Sequence, residues 1–381
     1  MESLPLDART WAEIDLGALL HNFQLAQKTG KKVMCVVKAN AYGHGALRCA
    51  LFLEKHGADA FAVACLSEAL ELRAGGVAKP ILILGYTAPA HAAVLIGHDI
   101  IQTCVDEAHA AALSEAAQKA GGKLKVHIKI DTGMSRTGLL AQGEENALEA
   151  AKAAARICKL PGLAVKGMFT HFSVADTPAE DEYTAWQLSN YNTVLQYLTE
   201  KGLRPETCHT SNSACIMDHP ETQIDMVREG IILYGLYPDS APNPNGPLKP
   251  VLTLKSRVAQ VRRLPAGTSV SYGRTYKNEE PFSTAVVLAG YADGHPRRLS
   301  NAAFDVIGGR RYPQVGRICM DMHMLNITGH EEEVHPGDEV TLWGASGMCT
   351  EEAAQIVGTI NYELTCLITP RVPRVYINEP A

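Results

Sequence analysis

The sequence predicts an α/β protein in which a (β/α)8 barrel of the TIM type precedes a mostly antiparallel β-domain. Between about residues 31 and 240, eight short apolar runs alternate with amphipathic helical patterns. These runs are apolar on both faces, which is typical of parallel strands covered by helices. Beyond residue 240, β-branched segments and turns replace the helical patterns, which favours an antiparallel sheet.

The barrel strands are predicted where aliphatic and β-branched residues cluster, over residues 33–38, 60–65, 80–85, 102–105, 125–131, 164–172, 206–211 and 226–229. Alanine-rich amphipathic segments predict helices over residues 67–75, 106–119, 147–159 and 180–201. Eight β-α repeats in just over 200 residues fit a closed barrel. Periodicity alone does not distinguish this barrel from a doubly wound open sheet, which is the competing interpretation.

A run of turn-forming residues separates the two predicted domains. Residues 238–247 contain four prolines and no apolar periodicity, which predicts a linker. The barrel domain is therefore assigned to residues 11–240, and the β-domain to residues 241–381 together with residues 1–10. The predicted strands of the β-domain cover residues 252–262, 269–276, 284–290, 304–307, 317–327 and 339–343, and one helix covers residues 351–360.

Composition narrows the possible classes of protein. The chain has 381 residues and a net charge of −6 without a basic stripe, which argues against binding to nucleic acid. Its ten cysteines include no C-x-x-C pair, and several lie in apolar runs, so a reducing compartment is predicted. The N-terminus lacks the features of a signal peptide, and no apolar run approaches the ~20 residues that span a bilayer. We therefore expect a cytoplasmic protein that does not bind membranes.

Lys38 ends the first predicted barrel strand and opens a turn rich in glycine and aromatic residues. A lysine desolvated at the mouth of a strand loses its proton readily, and its free amine can attack a carbonyl group. Lysines at strand ends also commonly extend into solvent, so Lys38 alone does not decide its role. Other strands deliver side chains or backbone amides to the same rim, where active sites of such barrels lie. These residues are Arg136, His171, Asn212, Ser213, Arg228, Gly230 and Ile231.

Ser213 and Gly230 follow the seventh and eighth predicted strands, where these barrels commonly bind phosphate groups. Ser213 offers a hydroxyl group, and Gly230 allows a ligand to approach the backbone closely. Each residue alone is equally consistent with a plain turn. Together with a carbonyl-reactive lysine across the barrel, they predict pyridoxal 5'-phosphate (PLP), which needs both an amine partner and a phosphate site.

Several segments, spread over almost the full chain, carry a resemblance to a known family. The most specific is the segment around Lys38, and the others are residues 10–15, 129–138, 209–214, 228–235, 270–273, 290–294, 316–321 and 360–363. In this order they resemble the alanine racemases, a family of barrel-fold PLP enzymes. The resemblance implies interconversion of L-alanine and D-alanine, which supplies D-alanine for peptidoglycan.

The resemblance also implies two bases on opposite faces of the substrate. Lys38 would hold the cofactor and serve the D-isomer, and Tyr272 would serve the L-isomer. A tyrosine with an ordinary pKa is a poor base unless neighbours stabilise its phenolate. His171 is implied as the hydrogen-bond partner of Tyr272, and it would be linked in turn to Arg228 and His209.

Arg228 is implied to donate a hydrogen bond to the pyridine nitrogen of PLP. An always-charged guanidinium disfavours a proton on that nitrogen, which should suppress transamination. A buried ion pair with Glu229 is the competing interpretation. Arg136 is implied near the substrate carboxylate, and Lys129 matches a lysine that is often carbamylated in the family and orients this arginine. The remaining implied residues are Tyr42, Ser213, Gly230, Ile231 and Tyr362 at the phosphate, with Met320 and Tyr291 at the substrate entrance.

The resemblance further implies a homodimer with composite active sites. Tyr272, Tyr291 and Met320 lie in the β-domain and would reach the barrel of a second subunit, so a monomer should be inactive. No metal is predicted. A metalloenzyme would have to use His323, His330 and His335, and the spacing of the last two misses the H-E-x-x-H pattern.

Substrate preference and reaction class stay open at this stage. Ser135 and Thr137 depart from the usual residues beside Arg136, and residues 295–297 near the entrance also depart from the common pattern. A serine or broad-specificity amino-acid racemase is the nearest alternative, although Tyr362 favours alanine. A PLP-dependent decarboxylase of the same barrel fold would not need Tyr272 as a second base. A non-catalytic PLP-binding protein usually lacks the β-domain.

Overall fold

The computed structural model describes residues 8–241, 243 and 245–380. The predicted absence of a signal peptide concerns residues 1–7, which lie outside the described residues, as do two prolines of the predicted linker, Pro242 and Pro244. The chain divides into two compact units. The barrel unit comprises residues 23–41 and 46–230, and the β-unit takes its described residues from 1–22, 42–45 and 231–381. The predicted domain boundary at residue 240 stays a prediction, because compact units are not proof of separately folding domains.

The described residues form nineteen strands, numbered in chain order: β1 Thr10–Asp15, β2 Lys32–Val36, β3 Ala60–Val63, β4 Ile81–Ile83, β5 Ile100–Cys104, β6 Leu124–Asp131, β7 Leu139–Leu140, β8 Leu163–Phe169, β9 Thr207–His209, β10 Met226–Glu229, β11 Leu252–Leu264, β12 Ser269–Val270, β13 Tyr276–Lys277, β14 Phe282–Val287, β15 Phe304–Ile307, β16 Arg310–Pro313, β17 His323–Asn326, β18 Glu339–Gly344 and β19 Arg374–Ile377.

They also form eleven helices, of which α2 is a short left-handed turn: α1 Leu16–Gln27, α2 Lys38–Tyr42, α3 Ala46–Lys55, α4 Leu66–Ala74, α5 Ala92–Gly97, α6 Glu107–Lys119, α7 Glu144–Ile157, α8 Asp181–Glu200, α9 Ser213–Asp218, α10 Thr350–Val357 and α11 Asn361–Cys366. Single 3-10 turns occur at Pro89–His91, Pro178–Glu180, Pro220–Thr222, Ile231–Tyr234, Tyr272–Arg274, Tyr291–Asp293 and Arg297–Leu299.

The barrel unit contains a nearly closed parallel barrel of eight strands, in the order β10-β2-β3-β4-β5-β6-β8-β9. The two ends of this order are joined by single backbone hydrogen bonds. The N–H of Asp225 donates to O of Cys208, and the N–H of Arg228 donates to O of Ser211, each at 3.1 Å. The predicted (β/α)8 barrel is confirmed, and the alternative of a doubly wound open sheet is wrong.

All eight predicted barrel strands occur, with boundaries that differ by no more than three residues. β3 and β5 are buried along their whole length, as strands covered on both faces must be. Helix starts follow local capping: Oδ1 of Asp106 accepts from N of His109 at 2.6 Å, which begins α6. The carboxyl ends of β2, β6, β8, β9 and β10 carry the predicted site residues to one rim.

The β-unit is organised around the long strand β11. Its main sheet has the order β16-β15-β18-β11-β1-β19, and β14 and β17 extend from β11. β11 pairs antiparallel with β1, β14 and β18, whereas β1 pairs parallel with β19. The pairing of β11 shifts register between Leu254 and Lys255 and between Val258 and Gln260. These irregularities allow one strand to pair in two sheets. The predicted antiparallel-rich C-terminal domain is confirmed.

Two predicted strands of the β-unit are wrong in part. Within residues 317–327 only His323–Asn326 forms a strand, because N of Cys319 donates to O of Met322 and closes a turn before it. Residues 269–276 form two short strands instead of one, since Ser271 and Arg274 adopt φ of 63° and 51° between them. The sequence patterns also miss β1, α1, β16, β19 and α11.

All ten cysteines are free thiols, five of them buried, in line with the prediction that they form no disulfide framework. No helix among the described residues is both long and apolar enough to cross a membrane.

Candidate active site

Arg228, on β10, is the centre of a buried hydrogen-bond network in the barrel unit. Its Nη1 lies 3.0 Å from Nδ1 of His209 and donates to O of His209 at 3.0 Å. Its Nη2 donates to O of Thr170 and O of Thr210 at 2.8 Å each and lies 3.3 Å from Nδ1 of His171. Its Nε makes no hydrogen bond within the described part of the chain. One N–H of the guanidinium therefore stays available to a ligand.

The network determines which ring nitrogens carry protons. A guanidinium has no lone pair, so Nδ1 of His209 accepts from Nη1, and Nδ1 of His171 shares one of the two Nη2 protons with a carbonyl oxygen. Nε2 of each neutral ring must then carry the proton. For His209, Nε2 donates to Nδ1 of His127 at 2.9 Å. For His171, Nε2–H remains a donor for a further acceptor.

Burial beside cationic groups keeps His171 neutral. Burial, and after it the charge of Arg228, lowers the pKa of His171 well below its ordinary value. Lys129, Arg136 and Lys38 act on this imidazole in the same direction. Burial lowers the pKa of Arg228 to about 10, so its guanidinium is still charged at neutral pH. Arg228, Arg136 and Lys38 thus bring positive charge to this part of the barrel, which favours an anionic ligand.

Lys129 lies on β6 and is 4% exposed. Its Nζ donates to O of Ile130 at 3.1 Å and lies 5.2 Å from the centre of the Phe169 ring. Burial, and after it the charge of Arg228, lowers the pKa of Lys129 to about 7, although Asp131 acts in the opposite direction. A large share of Lys129 is therefore the neutral amine near pH 7, which is the form that can react with carbon dioxide.

Arg136 is exposed on the loop that follows β6. Oδ1 of Asp131 organises this loop by accepting from N of Gly133 at 3.1 Å and from N of Ser135 at 2.9 Å. Ser135 has φ of 54°, a left-handed conformation that these bonds support. Oη of Tyr183 donates to O of Gly133 at 3.0 Å and ties the loop to α8. The backbone around Arg136 is therefore fixed, while its side chain is exposed.

Lys38 follows β2 and begins the left-handed turn α2. The next three residues have φ of 52°, 53° and 54°, a conformation that costs L-amino acids roughly 1–2 kcal/mol each. Glu68 supports the turn from outside, because its two carboxylate oxygens accept from N of Ala39 at 2.8 Å and from N of Ala64 at 2.7 Å. The direction in which the chain leaves the strand at Lys38 is thus held by a side chain from α4.

Ser213 and Gly230 are brought into direct contact in the barrel unit. The N–H of Gly230 donates to Oγ of Ser213 at 3.1 Å. Because Oγ accepts this bond, the hydroxyl proton of Ser213 remains a donor. Asn212 begins α9 by accepting from N of Cys215 at 3.1 Å, which fixes Ser213 in the first turn.

Tyr42 and Tyr362 lie together in the β-unit. Their ring centroids are 6.4 Å apart in an edge-on arrangement, and Tyr42 also lies 5.2 Å from Tyr234. His44 packs against Tyr234 at 4.4 Å. Burial, and after it Cys366 and Tyr362, raises the pKa of Tyr42, so its phenol stays protonated and able to donate. Ile231, the last predicted phosphate ligand, opens a 3-10 turn of the same unit.

Three predicted residues are exposed on the β-unit. Tyr272 is 68% exposed, Met320 52% and Tyr291 43%. Tyr272 lies at the tip of the β12–β13 hairpin, directly after Ser271, whose Oγ donates to O of Arg317 at 2.5 Å. A contiguous apolar patch made by such side chains is typical of an interaction site.

Two family models match the chain: the N-terminal domain of alanine racemase over residues 14–238 and its C-terminal domain over residues 251–376. The alanine racemase of Clostridium perfringens is 46% identical over 374 residues, covering 96% of this chain and 95% of the relative. That of Clostridium novyi is 43% identical over 373 residues, with the same coverage of both chains. The solved structure of the alanine racemase of Clostridium difficile 630 is similar with a TM-score of 0.90 and 38% identity, covering 98% of this chain and 97% of that chain.

The chain belongs to the alanine racemase family. It is an enzyme of the alanine racemase type, an isomerase with a barrel domain and a β-domain. In this family member the barrel unit brings Lys38, Lys129, Arg136, His171 and Arg228 within electrostatic reach of one another. The roles of individual residues stay predictions.

The alternative role for Arg228, a buried ion pair with Glu229, is wrong. Among the described residues, neither carboxylate oxygen of Glu229 has a hydrogen-bond partner. Burial raises the pKa of Glu229 well above its ordinary value, which disfavours the charged form that an ion pair needs. The positive charge of Arg228 is left for a ligand of the racemase.

The three histidines considered for a metalloenzyme do not form one group. Nδ1 of His330 lies 3.0 Å from Oε1 of Glu333, and the exposed His335 lies 3.8 Å from Asp338. His323 is instead fully buried and pairs with Asp305.

Two residues that shape the racemase site were missed by sequence reasoning. His127 extends the hydrogen-bond network of Arg228. The sequence does contain a signal for it, because every second residue of β6 is polar and such residues share one face of a strand: Lys125, His127, Lys129 and Asp131. Glu68, which supports the turn after Lys38, has no such signal, since nothing local distinguishes it from a surface helix residue.

Proposed function

We propose that this chain interconverts L-alanine and D-alanine with PLP bound in the barrel unit, and that its D-alanine serves peptidoglycan synthesis. The observation that carries the proposal is the guanidinium of Arg228. Its Nη atoms are committed to His209, His171, Thr170 and Thr210, and its Nε is left to donate to a ligand. A charged donor held this rigidly is suited to a single acceptor atom such as a ring nitrogen.

The residues present fit PLP. Lys38 would hold the aldehyde carbon, Arg228 the pyridine nitrogen, and Ser213 with the Gly230 and Ile231 amides the phosphate. The N–H of Gly230, which donates to Oγ of Ser213, would have to be shared with the phosphate, and Arg228 and Arg136 supply positive charge for the anionic groups. Tyr42 and Tyr362 are proposed at the phosphate on the ground of the resemblance. When bound, PLP withdraws electrons and acidifies the substrate Cα–H.

Two side chains move the Cα proton. We assign Nζ of Lys38 to the proton of the D-isomer and Oη of Tyr272 to that of the L-isomer. A phenol needs help to release its proton, and Nε2–H of His171 is the donor that would stabilise the Tyr272 phenolate. Arg228 keeps His171 in the required tautomer by donating to its Nδ1. His171 remains neutral because burial and Arg228 lower its pKa.

We further propose that the enzyme is a homodimer in which Tyr272, Tyr291 and Met320 act in the barrel of the partner subunit. Their exposure in the single chain supports this arrangement. Arg136 would bind the carboxylate of the amino-acid substrate, because it is an exposed guanidinium on a fixed loop. Lys129 is proposed to be open to carbamylation, because its lowered pKa leaves a share of it as the neutral amine.

The proposal is tested by incubating the purified protein separately with L-alanine and L-serine and measuring D-isomer and carbon dioxide. We expect D-alanine, little D-serine and no carbon dioxide. Borohydride treatment should attach the cofactor to the peptide containing Lys38. Lys38→Ala should lose both signals, whereas Lys32→Ala, an exposed lysine at the start of the same strand, should keep both.

Other outcomes separate the alternatives. Faster formation of D-serine than D-alanine would make the protein a serine racemase, and carbon dioxide release would indicate a decarboxylase. Tyr272→Phe should mainly slow removal of the proton from the L-isomer, measured as exchange of the Cα–H with solvent deuterium. Equal losses for both isomers would contradict the assignment of two bases.

A further inference from the structure

Three buried polar side chains of the β-unit, none of them assigned above to catalysis, converge on one point. His295 follows the turn Tyr291–Asp293, Asp305 lies on β15, and His323 begins β17. One potential ligand atom from each residue lies within 4.8 Å of the other two. The side chains are between 0% and 1% exposed, so neither solvent nor a surface counter-ion satisfies them.

The hydrogen bonds of His323 show that its contact with the carboxyl group of Asp305 requires a shared proton or a metal ion. Nδ1 of His323 lies 2.8 Å from O of Ala289, which can only accept, so Nδ1 carries a proton. Nε2 of the same ring lies 2.5 Å from Oδ2 of Asp305, which is also an acceptor when ionised. A second proton or a metal ion must therefore stand between Nε2 and the carboxylate.

His295 favours a metal ion over a second proton. Its ring centroid lies 4.8 Å from that of His323, yet among the described residues neither its Nδ1 nor its Nε2 has a hydrogen-bond partner. A second proton on His323 would satisfy Asp305 and leave both nitrogens of His295 buried and bare, which is a costly arrangement. A metal ion would use the lone pair of one of them.

We propose that His295, Asp305 and His323 form a structural zinc site in the β-unit. Two imidazoles and one carboxylate are ordinary zinc ligands, and a water molecule would complete a tetrahedron. The bond from Nδ1 of His323 to O of Ala289 is the outer contact that commonly orients a metal-binding imidazole. Binding would exchange one Zn²⁺ for the proton on Nε2 of His323.

The site requires only small side-chain movements. Zinc holds nitrogen and oxygen ligands at about 2.0–2.1 Å, so tetrahedral ligands lie about 3.3 Å apart. The distance from Nε2 of His323 to Oδ2 of Asp305, which is 2.5 Å, would lengthen. The widest distance between ligand atoms in the cluster, which is at most 4.8 Å, would shorten. Both changes are within the reach of side-chain rotations.

A zinc ion here would join three segments of the β-unit. His295 follows Tyr291 and Asp293 in the chain, and Ala289 follows the end of β14. Asp293 is itself held by Arg371 at 2.8 Å. The metal would therefore fix the turn that carries Tyr291 against β15 and β17. This inference concerns the β-unit alone and does not depend on the proposed cofactor or reaction.

The test is the metal content of the purified holoenzyme. After exposure to Zn²⁺ and removal of loose metal by gel filtration, we expect about one zinc per chain. Cobalt substitution should add the visible absorption bands of tetrahedral Co²⁺. His295→Gln and Asp305→Asn should lose the metal and the cobalt bands. His330→Gln is the control, because this histidine pairs with Glu333 outside the cluster.

Chelation of the wild-type protein tests the zinc site even if a variant fails to fold. Dipicolinate should lower the unfolding temperature, and one equivalent of Zn²⁺ should restore it. The proposal is overturned if the folded wild-type protein retains less than about a tenth of a zinc per chain. It is equally overturned if folded His295→Gln and Asp305→Asn retain as much zinc as the control, since the metal would then be bound elsewhere.

Discussion

Lys129→Met tests whether the barrel holds a lysine whose charge is strongly disfavoured. Burial, and after it Arg228, lowers the pKa of Lys129 from 10.5 to about 7. One pKa unit corresponds to about 1.4 kcal/mol, so near pH 7 the shift costs the folded state about 4 kcal/mol. Methionine has a similar length and no charge. It loses the bond from Nζ to O of Ile130, worth about 1 kcal/mol, and should raise the free energy of unfolding by about 3 kcal/mol.

The pH dependence gives this prediction its sign. A lysine whose pKa is lower in the folded state binds fewer protons there, so the folded state loses stability as the pH falls. The penalty is near zero above about pH 10.5, grows by about 1.4 kcal/mol per unit down to about pH 7, and is constant below that. The advantage of Lys129→Met over wild type should follow the same curve.

Urea unfolding of both proteins at equal concentration, from about pH 6.5 to about pH 9.5, measures this difference. Lys125→Met is the matched control on the same strand, because Nζ of Lys125 forms a half-exposed pair with Asp99 at 2.6 Å. Its effect should stay below about 1 kcal/mol without a trend. Lower stability of Lys129→Met at acidic pH would refute the reasoning. A flat difference would point to a carbamylated Lys129, which labelled bicarbonate would reveal by NMR.

Two further predictions concern the composite site and the backbone of the β-unit. If each site combines Lys38 of one subunit with Tyr272 of the other, a doubly tagged heterodimer of Lys38→Ala and Tyr272→Phe has one intact site. It should then show about half the wild-type activity. Activity no higher than that of the more active parent homodimer would show that both residues act in the same subunit. Gly43 has φ of 88°, and a Cβ there would lie 2.0 Å from O of Thr365, so Gly43→Ala should lower the free energy of unfolding by roughly 2–5 kcal/mol. Gly30→Ala, with φ of 69° and nothing within 4 Å, should cost only the roughly 1–2 kcal/mol of the left-handed backbone, and equal urea midpoints for the two variants would contradict the clash.

Much of the fold was accessible from sequence because the signals that specify the barrel are local. Apolar runs on both faces and alternating helical patterns located all eight barrel strands. The β-unit was harder. Residues 317–327 are continuously strand-like in composition, yet a turn closed by Cys319 and Met322 occupies the first half. β1 and β19 pair with each other across almost the whole chain, which no local pattern indicates.

Part of the candidate site was accessible for the same reason. Residues at the carboxyl ends of parallel strands share one rim, so Lys38, His171 and Arg228 could be expected to meet. The alternative pair of Arg228 with Glu229 is decided by the structure: neighbours on β10 point to opposite faces, and among the described residues neither carboxylate oxygen of Glu229 has a hydrogen-bond partner.

By itself, the sequence determined the barrel, the following β-rich domain and the family, because periodicity and motif order are properties of neighbouring residues. The tertiary structure alone decided the charge states. The tautomer of His171 depends on Arg228, which lies 57 residues away in the chain. The lowered pKa of Lys129 depends on burial and on that same guanidinium. The cluster of His295, Asp305 and His323 arises only where three separate segments pack. Desolvation and distance control proton affinity, and both are set by packing between residues far apart in the chain.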